Sequence, residues 1–211
     1  MFKELLMRAF AIVLVMTVCV SATASAQTEG KISVGASVTQ VIPTDSEVGS
    51  FTGYGPLVRL NPKRGWGVAA GFNWFRADID DPGGFDGDFL RIRIRPLMGG
   101  VSYSVGPEKL LTSFSIVAGP SFNSARFRDE FLNALPPGSV APDIDIETSF
   151  VVRPGVGVTW TLAPRVAIVG FGGYMWNRPG IVYRNQFGDE FRDEWKADAI
   201  VLSVGAVYSL F

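Results

Sequence analysis

The chain has 211 residues, a formal net charge of −1 and hydrophobic residues at 47% of its positions. A near-neutral charge without a basic stripe argues against a nucleic-acid partner. The chain contains no histidine, the residue that most often serves as general base and as ligand for transition metals, so the composition argues against most enzymatic chemistry and predicts no cofactor.

The N-terminus has the pattern of an export signal. Lys3 and Arg8 supply positive charge, a short apolar segment follows, and Ala24–Ser25–Ala26 provides a small-residue cleavage site. The apolar segment is too short to cross a bilayer as a helix. The pattern therefore predicts that residues 1–26 are a cleaved signal peptide and that residues 27–211 form the mature domain.

The mature part of the chain contains eight segments in which apolar and polar residues alternate with a period of two. Such alternation is typical of strands that have one apolar face. The first segment is the clearest, because Ile32, Val34, Ala36 and Val38 alternate with glycine and small polar residues. The fourth changes its apolar set near Pro96, from even to odd positions, and this change predicts a β-bulge there.

The connectors between these segments alternate in length. The short ones span about residues 62–65, 105–110 and 163–164, and the long polar ones span about residues 42–50, 78–88, 128–147 and 180–194. Transmembrane β-barrels have short periplasmic turns and longer extracellular loops. The sequence therefore predicts an all-β fold, an eight-stranded antiparallel up-and-down transmembrane β-barrel with both termini in the periplasm.

Aromatic residues lie near both ends of the predicted strands. Because amphipathic rings settle at the level of the lipid headgroups, they are expected to form two aromatic girdles. The girdle residues are predicted to be Trp66, Tyr103, Trp160 and Tyr208 at the periplasmic end and Trp74 and Trp176 at the outer end.

This combination of strands, loop lengths and a C-terminal aromatic residue resembles the eight-stranded OmpA/OmpX and opacity-type family of outer membrane proteins. The resemblance covers residues 31–211. It implies localisation in the cell outer membrane, with outer membrane lipid and lipopolysaccharide as partners. It also implies that Phe211 is an assembly signal for the outer-membrane assembly machinery. The barrel enzymes similar in architecture use a catalytic histidine, which this chain lacks, and Cys19, the one cysteine, lies within the signal.

Five arginines on the predicted strands are expected to project into the barrel, with Asp198 as their best carboxylate partner. They are Arg59, Arg91, Arg93, Arg95 and Arg153. In one interpretation they fill a narrow lumen as ion-paired side chains, since buried charges persist when they are paired. In the other they line a path for small anions.

The acidic residues of the long loops allow two interpretations. Asp78, Asp80, Asp86, Asp143 and Glu147 are among carboxylates that can hold a hard divalent cation or can simply be solvated. The sequence thus predicts a non-enzymatic barrel with a filled lumen and a structural role or a surface-interaction role, through loops that meet an unknown ligand. A minor anion pore is the alternative, and a soluble secreted β-sandwich is a third class.

Overall fold

The computed structural model describes residues 31–44, 48–61, 64–80, 88–134, 143–184 and 189–210. The predicted signal peptide and Phe211 lie outside these residues. The described part contains one short helix, α1 (Asp129–Ala134), and none of its helices is long and apolar enough to cross a membrane. Its strands are β1 (Lys31–Pro43), β2 (Phe51–Asn61), β3 (Gly65–Phe72), β4 (Trp74–Asp80), β5 (Asp88–Val105), β6 (Leu110–Phe127), β7 (Asp143–Ile146), β8 (Ser149–Ala163), β9 (Val166–Asn177), β10 (Gly180–Arg184), β11 (Glu190–Glu194) and β12 (Ala199–Ser209).

Nine of these strands form one closed antiparallel sheet. β1 pairs with both β2 and β12, so the sheet has no free edge in the direction of pairing. β3 and β4 both pair with β2 and β5, and they make a single wall strand interrupted at Asn73. The wall therefore has eight strands, and the prediction of an eight-stranded antiparallel barrel is confirmed.

Along each wall strand, one face lines the lumen and the other faces outward. The outer face carries large exposed apolar side chains, among them Val38, Val58, Phe114, Val158 and Leu202. Over much of its length the inner face carries small residues and buried hydroxyls, such as Ser33, Thr39 and Ser113. This division is what lipid on one side and a narrow interior on the other require.

The lumen is apolar at one end and polar at the other. We call the end where β1 begins and β12 finishes the terminal end, and the opposite one the loop end. The loop-end half is filled by a cluster of buried apolar side chains, the apolar plug, which comprises Val41, Phe51, Phe75, Ala77, Leu90, Ile92, Ile94, Met98, Val117, Phe127, Ile146, Val151, Met175, Ala199 and Val201.

The predicted β-bulge near Pro96 is wrong. The pairing of β5 with β6 keeps one register from Leu90–Phe127 to Val105–Thr112, and the pairing of β5 with β3 and β4 shows no shift at Pro96 either. The even positions of β5 therefore face inward along its whole length. The prediction failed because it placed every apolar residue on the lipid face, whereas Leu90, Ile92 and Ile94 belong to the apolar plug.

A second, three-stranded sheet lies outside the barrel wall. Its central strand β10 pairs with β7 on one side and with β11 on the other, so it joins the two long loops that follow β6 and β9. Ile146 of β7 is buried in the apolar plug, and Ile144 and Ile181 pack against it. This loop sheet thereby covers the loop end of the lumen.

Candidate functional site

The terminal half of the lumen encloses a cavity of about 110 Å³. Its lining combines hydroxyl groups with two cationic and several apolar side chains. The lining residues include Ser37, Thr39, Leu57, Arg59, Met98, Ser102, Ser113, Ser115, Val117, Arg153, Thr159, Val169, Phe171 and Ser203. The volume is enough for a few water molecules. The apolar plug separates the cavity from the loop end.

Two of the five predicted lumen arginines lie in this cavity. The Arg59 Nη1 group donates a hydrogen bond to the Thr159 hydroxyl at 2.8 Å. The Arg153 guanidinium lies 4.9 Å from the centre of the Phe171 ring, a cation–π geometry. The Nε atom of Arg153 is buried and has no hydrogen-bond partner within the described structure. The two groups that contact these guanidinium groups, the Thr159 hydroxyl and the Phe171 ring, are neutral.

The predicted carboxylate partner of the arginines lies elsewhere. Asp198 is at the loop end, where its Oδ1 accepts a hydrogen bond from the Asn177 backbone N–H at 3.0 Å. Its Oδ2 lies 3.7 Å from Nη2 of Arg178. No described lumen-facing side chain of the wall is a carboxylate. The prediction that Asp198 pairs with the lumen arginines is therefore wrong. Asp198 precedes β12, and its carboxylate binds Asn177 and Arg178 at the end of β9.

The remaining three arginines of the predicted cluster lie on the outer face of the barrel. Arg91, Arg93 and Arg95 alternate with the buried Leu90, Ile92 and Ile94; because β5 keeps its register, they point away from the lumen. Their predicted inward direction is wrong. Arg91 forms an ion pair with Asp78 on β4, with 2.7 Å between Nε and Oδ1.

The aromatic residues assigned to two girdles lie on the outer face, near the two ends of the wall. Trp66 and Tyr103 are cross-strand partners with ring centroids 5.3 Å apart. Trp74 lies against Tyr54 in the same way, at 6.0 Å. All six girdle residues are exposed: Trp66, Tyr103, Trp160 and Tyr208 toward the terminal end, and Trp74 and Trp176 toward the loop end.

Four acidic side chains of the loops around β7, β10 and β11 are paired with arginines, namely Asp143, Glu147, Glu190 and Glu194. Nη1 of Arg184 lies 3.8 Å from Oδ2 of Asp143, and Nη1 of Arg192 lies 3.9 Å from Oε1 of Glu147. The hydrogen bonds that Arg192 and Arg184 donate hold the pKa of Glu190 below its ordinary value. No group of three or more metal-binding side chains is placed to hold an ion within the described residues.

Sequence reasoning missed several residues that contact the predicted ones. Thr159 and Phe171 hold the lumen arginines, while Arg76 and Arg126 lie beside Arg93 and Arg91 on the outer face. The alternation of β6 already places Arg126 on the same face as Phe122, because both occupy even positions. This alternation is the sequence signal from which the outward direction of Arg126 could have been predicted.

Comparison with known proteins identifies the fold. No protein-family model matches the chain, and neither does any curated protein. Among solved structures, the outer membrane protein OprG from Pseudomonas aeruginosa is 15% identical, with a TM-score of 0.68 over 86% of this chain and 96% of that one. A major outer membrane protein from Thermus thermophilus is 16% identical, with a TM-score of 0.58 over 86% and 100%. Outer membrane protein W of E. coli is 17% identical, with a TM-score of 0.56 over 86% and 98%.

These neighbours share the architecture derived above from the pairing of the strands. At such low identity the likeness concerns the fold alone. The chain therefore has the fold of the small eight-stranded outer membrane β-barrels, and the resemblance inferred from its sequence is confirmed at that level.

Proposed function

We propose that the chain is a non-enzymatic outer membrane barrel whose lumen is filled by side chains and whose role is structural or surface-interacting. Its mature form is residues 27–211, set in the membrane with the terminal end toward the periplasm and the loop end outside. The loop sheet then presents an ordered surface to an unidentified ligand. Outer membrane lipid and lipopolysaccharide surround the wall, and the assembly machinery recognises Phe211 during insertion.

One observation carries this proposal, namely the apolar plug. Val41, Val151 and Val201 are fully buried, and Met175 and Ile94 are nearly so. Phe131 of α1 and Trp195 pack against the same cluster. Ions cross a barrel through a polar, water-filled interior. A densely packed apolar layer across the lumen supports a structural or interaction role over transport.

The absence of conductance is the direct test of a closed lumen. Refolded residues 27–211 in a planar bilayer are expected to give no steady current steps, because ions find no hydrated path through the plug. Folding is checked on the same sample by the heat-dependent mobility shift of a closed barrel on a denaturing gel. Reproducible current steps from a sample that shows this shift would contradict the proposal.

A minor pore for small anions is the second candidate. The observation in its favour is that Arg59 and Arg153 face the lumen, where no described wall side chain is a carboxylate. If the barrel conducts, Arg153→Glu is expected to turn anion preference toward cations, measured as the reversal potential across a salt gradient. Arg93→Glu is the matched control, since it makes the same charge change on the outer face and should leave selectivity unaltered.

The absence of enzymatic activity is part of the proposal. The sequence contains no histidine, and its one cysteine, Cys19, lies in the predicted signal. The cavity offers hydroxyls and guanidinium groups without a base to activate a nucleophile. This donor set suits the packing of a narrow lumen better than catalysis.

A further inference from the structure

The outer face of three neighbouring wall strands carries a cluster of arginines at the margin of the lipid-facing surface. We call it the outer arginine patch, and it consists of Arg76 on β4, Arg91, Arg93 and Arg95 on β5, and Arg126 on β6. Arg76 is the direct cross-strand partner of Arg93, and Arg91 that of Arg126. Side chains opposite each other in an antiparallel pair have Cβ atoms about 5 Å apart.

Such an arrangement is unfavourable without a counter-charge, since like charges directly opposite each other repel. The described carboxylate on this face, Asp78, is already engaged by Arg91. No ion pair joins Arg76, Arg93 or Arg126 to a described carboxylate. The patch therefore has several cationic donors to offer to an anion from outside the chain.

The position of the patch relative to the apolar wall indicates what that anion is. Arg95 is the cross-strand partner of Phe122, and Leu97, two residues nearer the terminal end, is also exposed. Trp74 is exposed on the neighbouring strand. From Arg95 to Arg91 the strand rises about 13 Å, or roughly 10 Å in height at a tilt near 40°. The arginines thus begin where the acyl-facing surface ends and extend through the level of the headgroups.

We propose that the outer arginine patch binds the phosphate groups of a phosphorylated outer-leaflet lipid of the lipid A class. Guanidinium groups bind phosphate oxygens in bidentate fashion. The exposed Leu97 lies below the arginines, and Trp74 and Phe122 lie level with Arg95, so these three side chains are placed to contact the acyl chains. Two opposed arginine pairs suit a head that carries more than one phosphate. The inference rests on the proposed orientation of the loop end, but it does not depend on whether the lumen conducts.

The test uses refolded residues 27–211 in phosphatidylcholine vesicles that contain a trace of fluorescent diphosphoryl lipid A. Energy transfer from tryptophan, displaced by unlabelled lipid A, gives the relative affinity. Arg76→Gln with Arg93→Gln is expected to weaken binding about 25-fold, since each basic residue near an anionic lipid surface contributes roughly a factor of five. Arg64→Gln with Arg165→Gln is the matched control, because it removes the same charge from the terminal end of the barrel and should change affinity less than about twofold.

Each result decides the question. The proposal is supported if the affinity for lipid A falls in the Arg76→Gln, Arg93→Gln variant but not in the control, and if the unaltered protein binds dephosphorylated lipid A weakly. Equal loss in both double variants, no loss in either, or equal binding of the dephosphorylated lipid overturns it. Displacement of lipid A by millimolar inorganic phosphate also overturns it, because the patch would then bind any phosphate.

Folding and the other proposal are controlled separately. If the double variant gives no heat-dependent gel shift, the single variant Arg126→Gln, at an exposed position, replaces it with an expected fivefold loss. No loss in that variant counts against the patch. Current steps in the bilayer experiment would contradict the closed lumen but would leave the lipid A affinities unchanged. Failure of the closed-lumen proposal and failure of the lipid-binding proposal are therefore distinguishable.

Discussion

Val201→Asp is expected to prevent refolding of the barrel or to lower its free energy of unfolding by about 4 kcal/mol. Val201 is fully buried in the apolar plug, opposite Val41 across the β1–β12 seam that closes the barrel. An unpaired carboxylate at this position loses its hydration and gains no cation, which costs several kcal/mol. Urea unfolding of the protein in lipid vesicles, followed by tryptophan fluorescence, measures the change.

Ser203→Asp is the control for that prediction. Ser203 lies two residues further along β12 on the same inward face, but it lines the cavity into which Arg59 and Arg153 project. A carboxylate there has polar neighbours and loses only the hydrogen bond between Ser203 and Thr39, worth about 1 kcal/mol. Equal destabilisation by Val201→Asp and Ser203→Asp would show that a carboxylate is no less well solvated in the apolar plug than in the cavity, and would contradict the prediction.

Gly119→Ala is expected to destabilise the barrel by about 3 kcal/mol. A Cβ atom at Gly119 would collide with the backbone carbonyl oxygen of Leu97 on the adjacent strand, and neither backbone can move without disturbing its ladder. Overpacking of this kind costs typically 1–3 kcal/mol, and a clash with backbone lies near the upper end. The same urea titration measures the loss.

Gly170→Ala supplies the comparison for the glycine prediction. Gly170 lies on β9, and a Cβ atom built there meets no heavy atom within 4 Å. Its substitution should therefore change the free energy of unfolding by less than about 1 kcal/mol. If Gly170→Ala costs as much as Gly119→Ala, close approach of the strands is not what makes glycine necessary at Gly119.

The barrel itself could be predicted from the sequence because its outer surface obeys a simple rule. Lipid requires apolar side chains at every second position of each wall strand, and exposed residues such as Val38, Phe114 and Leu202 follow that requirement. The alternation of short and long connectors was equally informative, since it reflects the order in which neighbouring strands are joined. Neither feature depends on contacts between distant residues.

The interior could not be predicted in the same way. The sequence pattern cannot distinguish an apolar residue facing lipid from one facing an apolar plug, so it puts Ile92 and Ile94 outside and their arginine neighbours inside. The position of Asp198 failed for a related reason. Its partners, Asn177 and Arg178, are brought to it by the pairing of β9 with β12, which the sequence of either strand alone does not contain.

The central position of β10 makes the structures of the two long loops that follow β6 and β9 depend on each other. Because β10 pairs with β7 from one loop and with β11 from its own, a graft that replaces the segment around β7 would leave one edge of β10 open and remove Ile146 from the apolar plug. Transplanting this surface to another barrel would require moving both loops together. Variation between related chains should therefore accumulate in the two loops in a correlated manner.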